Sequence, residues 1–494
     1  MNGNAQSDGD SRIHTPRAEF SIQEKNEYQS IVSLARMIVT VAMKRKTSDR
    51  PPAAVATHIE DSASLVPLAP VVPVWSPGLR VAFRFVFLYL SLFCLATQIA
   101  GSLFMTPGSS FRGFGLLWPM RPITTWIATH FFGATEPLVY GRFSGETLFY
   151  WVQTFWIFLV AVAGAVIWSV VDRRRENYAR MQQWFHLAIR LALAASMFEY
   201  GMAKVISTQF PQPPLNTLVT PLGNVTLSGL LWAAIGASPA YEAFTGVAEL
   251  LGGILLLMPR TAMLGALICL ADAVQVFALN MTFDIGVKQI SFHLILMSLL
   301  VLAPDARRLL NFFVLNRPAG PSRQTDLFRS NMANRVALAI PLVIGVYLLG
   351  TYAYVNWTFR QMEGDASPRS PLYGIWNVDQ LSVDGEARPV ALNDYDRRWR
   401  RVIFDAPNAM AVQRIDDSFA RYVASVNVYQ NSIALTKGGS KTWRANLTFQ
   451  RPSPERLVLE GEMDGYRILA QLQLAEFDTF RLLNSSFRWI RPEE

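Results

Sequence analysis

The chain has 494 residues, of which 51% are hydrophobic and 17% charged, and its formal net charge is +8. Charged residues make up about 25% of an ordinary soluble protein, so the composition excludes a water-soluble globular chain and indicates an integral membrane protein. The two cysteines, Cys94 and Cys269, exclude a disulfide framework and a C-x-x-C redox pair.

Residues 1–78 are low in apolar content and rich in Ser, Pro and Ala, which predicts a disordered tail. Within it, Ile31–Met43 followed by Lys44, Arg45 and Lys46 is too short to span. It reads either as part of that tail or as a segment lying on an anionic membrane surface. No secretory signal peptide is visible. Apolar stretches approaching the ~20 residues that cross a bilayer occur at 81–105, 148–171, 183–206, 239–258, 261–280, 288–304 and 336–357. The expected fold is therefore a mainly α polytopic membrane protein of about seven spans. The sixth is the shortest, bounded by Lys288 and Asp305.

Positive loops stay cytoplasmic. Arg173, Arg174, Arg175 and Arg180 follow the second stretch, and Arg307, Arg308, Arg317, Arg323, Arg329 and Arg335 lie between the sixth and seventh. Seven spans with both loops inside put the N-terminus in the cytoplasm and everything after Trp357 outside. This charge requires no nucleic acid partner. Leu117–Phe132 in the loop 106–147 carries Trp118, Trp126, Phe131 and Phe132 and reads as an interfacial or partly inserted helix. The loop Gln209–Thr226, with four prolines, should be irregular. Leu227–Ile235 is apolar but short, the pattern of a re-entrant segment.

From Pro371 the period changes. Ile375–Leu381, Trp399–Phe404, Arg421–Val428, Trp443–Phe449, Arg456–Glu462, Tyr466–Leu474 and Phe487–Ile490 are short β-rich runs, and Asp384-Gly385, Gly438-Gly439 and Asp464-Gly465 are turn signals. They predict an antiparallel β-barrel-like domain over 371–494. Gly374-Ile375-Trp376 at its start and Arg488 near its end resemble the lipocalin arrangement, in which a first-strand tryptophan closes the barrel floor and a late arginine packs on it. A ligand cup and a filled barrel that only stabilises or docks are both open at this point.

The central stretch is the most informative. It contains Tyr200-Gly201-Met202-Ala203-Lys204, Gln209-Phe210-Pro211, Glu249 followed by Gly252-Gly253, and Arg260-Thr261. Further on come Asn280-Met281-Thr282-Phe283-Asp284, Val287-Lys288, Ser291-Phe292-His293-Leu294, Ala303-Pro304-Asp305 and Leu315-Asn316-Arg317. In these motifs residues 182–317 resemble the DoxX family. The resemblance implies a central four-helix membrane bundle, of a kind associated in some members with thiosulfate:quinone oxidoreduction or membrane redox complexes. It leaves 79–181 as two flanking transmembrane helices with an external loop, 318–360 as a linker and last transmembrane helix, and the barrel as an external addition. It also implies a bacterium, whose inner membrane would place the barrel in the periplasm.

Ionisable residues are dense in this core: His186, Arg190, Glu199, Lys204, Glu242, Glu249, Asp272, Lys288 and His293. A charge at the bilayer centre costs roughly 2.5–3.5 kcal/mol on insertion scales, so such groups face the interior, pair, and mark function. At 100° per residue His186 and Lys204 share a face, whereas Glu199 lies about 140° from Lys204 and must meet another helix. Glu242, Thr245 and Glu249 form one stripe, and Asp272 with Gln275 another. The candidate catalytic residues are Glu199, Lys204 and Glu249. The candidate substrate-binding residues are Asn280, Asp284, Lys288 and His293, placed in a pocket near the outer end. No metal site is expected.

Three functions fit. In quinone-linked redox chemistry, Lys204, His293 and Asn280 would donate to the ring carbonyls and Glu199, Glu249 and Asp272 would relay protons; a partner redox protein would be needed. In a non-enzymatic module, the chain would bind lipid or a partner protein and present the barrel, with Lys204–Glu249 a structural pair, Asp284–Lys288 a headgroup-zone pair, and His293 an interhelical hydrogen-bond donor. The third is a proton-coupled transporter, for which no internal repeat is apparent.

Overall fold

The computed structural model describes residues 74–494 apart from 109–110, 136, 142–145, 321–327, 329, 391–397, 439, 441, 485–488 and 491–494. The tail expected over 1–78 therefore falls almost wholly outside the described residues, as does Ile31–Met43.

Among the described residues six helices are long and apolar enough to cross a membrane, and the protein is a mainly helical multi-pass membrane protein. They are α1 (Pro77–Ala96), α4 (Leu148–Val171), α8 (Pro239–Leu257), α9 (Ala262–Thr282), α10 (Lys288–Leu302), continued by a 3-10 turn into α11 (Ala306–Phe313), and α12 (Asn331–Met362). The seventh expected span is α5 (Ala179–Val205), which has 27 residues but carries His186, Arg190, Glu199 and Lys204. It lies at the centre of the bundle, where its faces are covered by protein and charges can be paired. The first span is interrupted: α1 ends at Ala96, and after Thr97 the chain restarts as α2 (Gln98–Leu103). The short, aromatic α3 (Met120–Phe132) follows, with Trp126 and Phe131 exposed.

Glycine sets the spacing of α5 and α8. A methyl group on Gly246 would come within 2.7 Å of the Gly201 carbonyl and 2.8 Å of Lys204 Cβ. The two backbones therefore touch, as small residues permit in membrane bundles, and the Lys204 side chain is laid against α8. The main core, around Phe185, Leu193, Met197, Phe198, Leu256 and Met297, joins these helices to α1 through Phe83, Leu90 and Phe93.

Between α5 and α8 the proline-rich segment is mostly irregular, with single turns at α6 (Leu215–Leu218) and Leu222–Asn224. Then α7 (Leu227–Gly236), capped by Thr226 Oγ1 on Gly229 N at 3.1 Å, occupies the short apolar run.

The C-terminal strands are β1 (Gly374–Val383), β2 (Glu386–Ala387), β3 (Trp399–Phe404), β4 (Ala409–Arg414), β5 (Phe419–Asn427), β6 (Ser432–Lys437), β7 (Arg444–Ser453), β8 (Arg456–Met463) and β9 (Tyr466–Leu474). Each of the long strands pairs antiparallel with its neighbour in sequence, and β1 also pairs with β9, so eight strands close into a barrel with β2 as a short flap on β1. Asp384-Gly385 and Asp464-Gly465 have positive φ throughout and form the tight two-residue hairpin turns. Two strands, β4 and β6, had no clear sequence signal. The expected strand Phe487–Ile490 is not one where it is described, because residues 489–490 form a bend; β9 has already closed the ring. Gly439 and Arg488 lie outside the described residues. A different arginine, Arg451 of β7, places its guanidinium 5.7 Å from the Trp376 ring. Trp376 is 0% exposed, and its Nε1 donates to Leu372 O at 2.9 Å. With Phe404, Ile433, Leu435, Leu447, Leu457 and Leu459 it fills the barrel interior.

Candidate functional site

A cavity of about 90 Å³ lies between α5, α7, α8, α9 and α10, lined by Tyr200, Lys204, Gln209, Phe210, Trp232, Thr245, Glu249, Asp272, Gln275 and Asn280 among others. Glu249 sits eight residues from the nearer end of α8 and Asp272 ten from either end of α9, roughly 12–15 Å at 1.5 Å per residue, which is close to half the bilayer's hydrocarbon thickness.

Lys204 Nζ donates to Glu249 Oε1, and both side chains are almost fully buried. The second oxygen, Glu249 Oε2, is buried with no N–H or O–H partner. The Asp272 carboxyl lies within hydrogen-bonding reach of Glu249. Two carboxyl groups in that position can be joined only by a proton. One ammonium and two carboxyls sharing one proton carry no net charge, which is the form a low-dielectric interior tolerates.

Of the seven candidate residues, the fold brings Lys204, Glu249 and Asn280 to the cavity. Asn280 Nδ2 donates to Ser291 Oγ at 3.0 Å and Val287 O at 3.3 Å, bracing the link between α9 and α10. Glu199 is turned away, as its 140° offset required, and accepts from Ser102 Oγ on α2. His293 also lies elsewhere. Its Nδ1 bonds Gln289 O at 2.7 Å, its Nε2 meets Tyr89 Oη at 2.8 Å, and its ring stacks 3.4 Å from Phe93. Because a backbone carbonyl can only accept, the Nδ1–H tautomer follows and Nε2 accepts from the tyrosine. Both ring nitrogens are committed to packing. Asp284 and Lys288 pair at 2.8 Å outside the cavity, and the lysine holds the exposed carboxyl below the usual carboxylate range.

Tyr200, Gln209, Trp232 and Gln275 complete the lining. Tyr200 lies one turn before Lys204, so helical spacing could have found it; Gln209 and Trp232 lie in or beside irregular chain, where periodicity is silent. Gln275 is exposed on the flank of α9. Gln275 thus reaches from the cavity lining to the outer surface of the helix.

The roof is the segment after α5. Phe210 N donates to the fully buried Glu242 at 3.0 Å, and the Phe210 ring packs 4.8 Å from Trp232. The same segment is gripped by the barrel: Leu215 N donates to Asp405 Oδ2 at 3.0 Å, Gln413 Nε2 to Val219 O at 3.1 Å, and Leu215 packs with Ile375 and Ile403. Burial raises the Asp405 carboxyl above its ordinary range, against the hydrogen bond from Leu215. A raised value means that the folded form holds the proton more tightly than the unfolded form. This carboxyl therefore favours the docked barrel in acid, and that contribution fades as pH rises through the raised value. Protease cleavage within residues 209–226 should accelerate over that window, and Asp405→Asn should flatten the dependence; an unchanged profile in the variant would assign it to other groups.

A second, more polar cavity of about 110 Å³ is lined by Thr97, Gln98, Arg112, Glu146, Tyr150, Gln153, Thr154 and Gln289 among others. Glu146 caps the start of α10, accepting from Gln289 N and, at 3.2 Å, Ile290 N. Among the described residues no group of three or more His, Cys, Asp or Glu side chains could hold a metal ion.

No family model matches the chain, and no solved structure matches it. The chain is similar to the uncharacterized protein YwoB of Bacillus subtilis (strain 168), with 39% identity over 124 residues, which is 25% of this chain and 79% of YwoB.

Proposed function

The chain belongs to the same family as YwoB, and on that premise we propose that it is a DoxX-type membrane protein whose central cavity takes the ring of a quinol, as the membrane subunit of a quinone-linked redox system. One observation carries the reading. Among the buried lining atoms, Gln209 Oε1 has no partner, and the Glu249–Asp272 carboxyls, with one proton among four oxygens, keep acceptor capacity to spare. A ligand that satisfies them must bring donors, as the two hydroxyls of a quinol do and the carbonyls of a quinone do not. The apolar lining, Phe210, Trp232, Leu279 and Leu294, suits a ring. Gln275, exposed on α9 at the edge of the cavity, suits a substrate that arrives from the bilayer with its tail still in lipid.

On this reading a bound quinol would supply two electrons and two protons when it is oxidised. Gln209 and Tyr200 orient the hydroxyls, the Glu249–Asp272 pair takes up the two protons in turn, passing the first on before it receives the second, and Lys204 keeps the charge of that pair compensated. The electrons leave to a partner redox protein. The arginines around 173–180 and 307–335 support a cytoplasmic N-terminus and a barrel on the outer side of a bacterial inner membrane.

Protein purified in mild detergent should carry a stoichiometric quinone or quinol detectable by mass spectrometry. Thr245→Phe, which fills a half-buried lining position and leaves every charged side chain in the sequence, should lose it while keeping the wild-type melting profile. Retention in this variant, or phospholipid alone in the wild type, would sink the proposal. A second reading, a module that presents the barrel to a partner, is favoured by the packed barrel interior, which leaves that domain only its outer surface.

A further inference from the structure

The two cavities are not independent. Val287 and Ile290 line both. Gln98, which lines the polar cavity, donates through Nε2 to the hydroxyl of Tyr200, which lines the inner one. Tyr200 thus stands in the wall between them, within electrostatic reach of Glu249 on one side and Arg112, Glu146 and Glu199 on the other. Lys204 is also beside it, its Nζ 5.8 Å from the ring. In the polar cavity Gln289 is 6% exposed, and its Nε2 has no hydrogen-bond partner; neither has Glu146 Oε2. A donor and an acceptor left open in a polar space of this size are the setting in which buried water is held, at two to four hydrogen bonds per molecule.

We propose that the polar cavity is a water-filled vestibule and that Tyr200, ordered by Gln98, is the proton-transfer link between it and the Lys204–Glu249–Asp272 cluster. The inference adds a proton route to the quinol reading but does not need a ligand to operate. In the step, the proton shared by Glu249 and Asp272 passes to Tyr200 Oη as the hydroxyl's own proton passes to vestibule water and on to the Glu146 carboxylate. One O–H bond forms as each one breaks, one proton moves in all, and no electrons are transferred. Burial holds the Glu146 carboxyl above its ordinary range, which suits a proton acceptor. Tyr200 is here a proton-transfer group and Gln98 a positioning residue.

The test follows hydrogen–deuterium exchange of the shared proton by infrared spectroscopy on the full chain in lipid nanodiscs. The wild type should show a deuterium-sensitive carboxylic C=O band that Asp272→Asn removes. Tyr200→Phe and Gln98→Leu should each slow its exchange at least about tenfold, equivalent to ~1.4 kcal/mol on the barrier, with unfolding temperatures near wild type. Wild-type exchange in both variants overturns the link. So does slowing by Gln209→Leu instead, which would put the route through the roof, or absence of the band. Because the exchange needs no ligand and transfers no electrons, failure here leaves the quinol reading standing, and loss of the bound quinol leaves this one standing.

Discussion

Lys204→Met should lower stability by about 3–5 kcal/mol, the usual consequence of removing one partner of a buried ion pair. The lysine is 6% exposed and the glutamate 3%, so water cannot take the place of the ammonium. Two carboxyls and one proton would be left in the middle of the bilayer with a net negative charge. The double variant Lys204→Met/Glu249→Gln, which removes the orphaned charge, should recover at least about half of the loss, since apolar or neutral replacement of a whole buried pair is often close to neutral. Thermal unfolding in detergent distinguishes the cases. A single variant within ~1 kcal/mol of wild type would mean that the charges are solvated by a route the cavity does not provide. The same pair of variants separates structural from chemical roles: a stable double variant that has lost its bound quinol assigns the ion pair to the site as well as to the fold.

Trp376→Ala should be comparably damaging to the barrel. The ring is wholly buried, its Nε1 is hydrogen-bonded, and it packs among Phe404, Leu457 and Leu459. Truncating a buried tryptophan costs about 3–5 kcal/mol when the surroundings cannot collapse into the space, and a closed barrel has little freedom to do so. The effect should reach the membrane cavity indirectly. Ile375 and Ile403, next to the lost ring's strand contacts, hold Leu215 of the roof, so residues 209–226 should also become easier to cleave. A loss below ~1 kcal/mol would show that the ring lines open space, which is what a ligand cup requires.

The helices were legible because bilayer thickness imposes a length and an apolarity that composition cannot hide. The exception is instructive: α5 falls short on apolarity because it is the helix the others surround. Lys204 and Glu249 could be chosen from sequence since both are charges with no polar face to occupy. Glu199 and His293 met the same criterion and lie elsewhere, facing α2 and α1. Which neighbour a buried polar group meets depends on helix rotation and on flanking elements, and the flanking elements carry no signal in the core's own sequence. In the barrel, the Asp-Gly turns were legible from the positive φ they demand, while β4 (Ala-Met-Ala-Val-Gln-Arg) lacks the branched and aromatic side chains that mark strands. Arg451 reaches the Trp376 ring from β7, a contact that no signal in that strand announced.

The grip of the barrel on the roof has a consequence for biogenesis. Leu215 is held by Asp405, 190 residues further along the chain, so the membrane helices emerge from the ribosome and insert well before the group that secures their roof exists. The barrel, whose strands pair in the order they are made and need only β9 to meet β1 at the end, has the sequence-local wiring that favours rapid folding. The cavity is thus finished last, by a domain made after every membrane helix, and a half-made chain presents the bilayer with paired charges but no completed chamber.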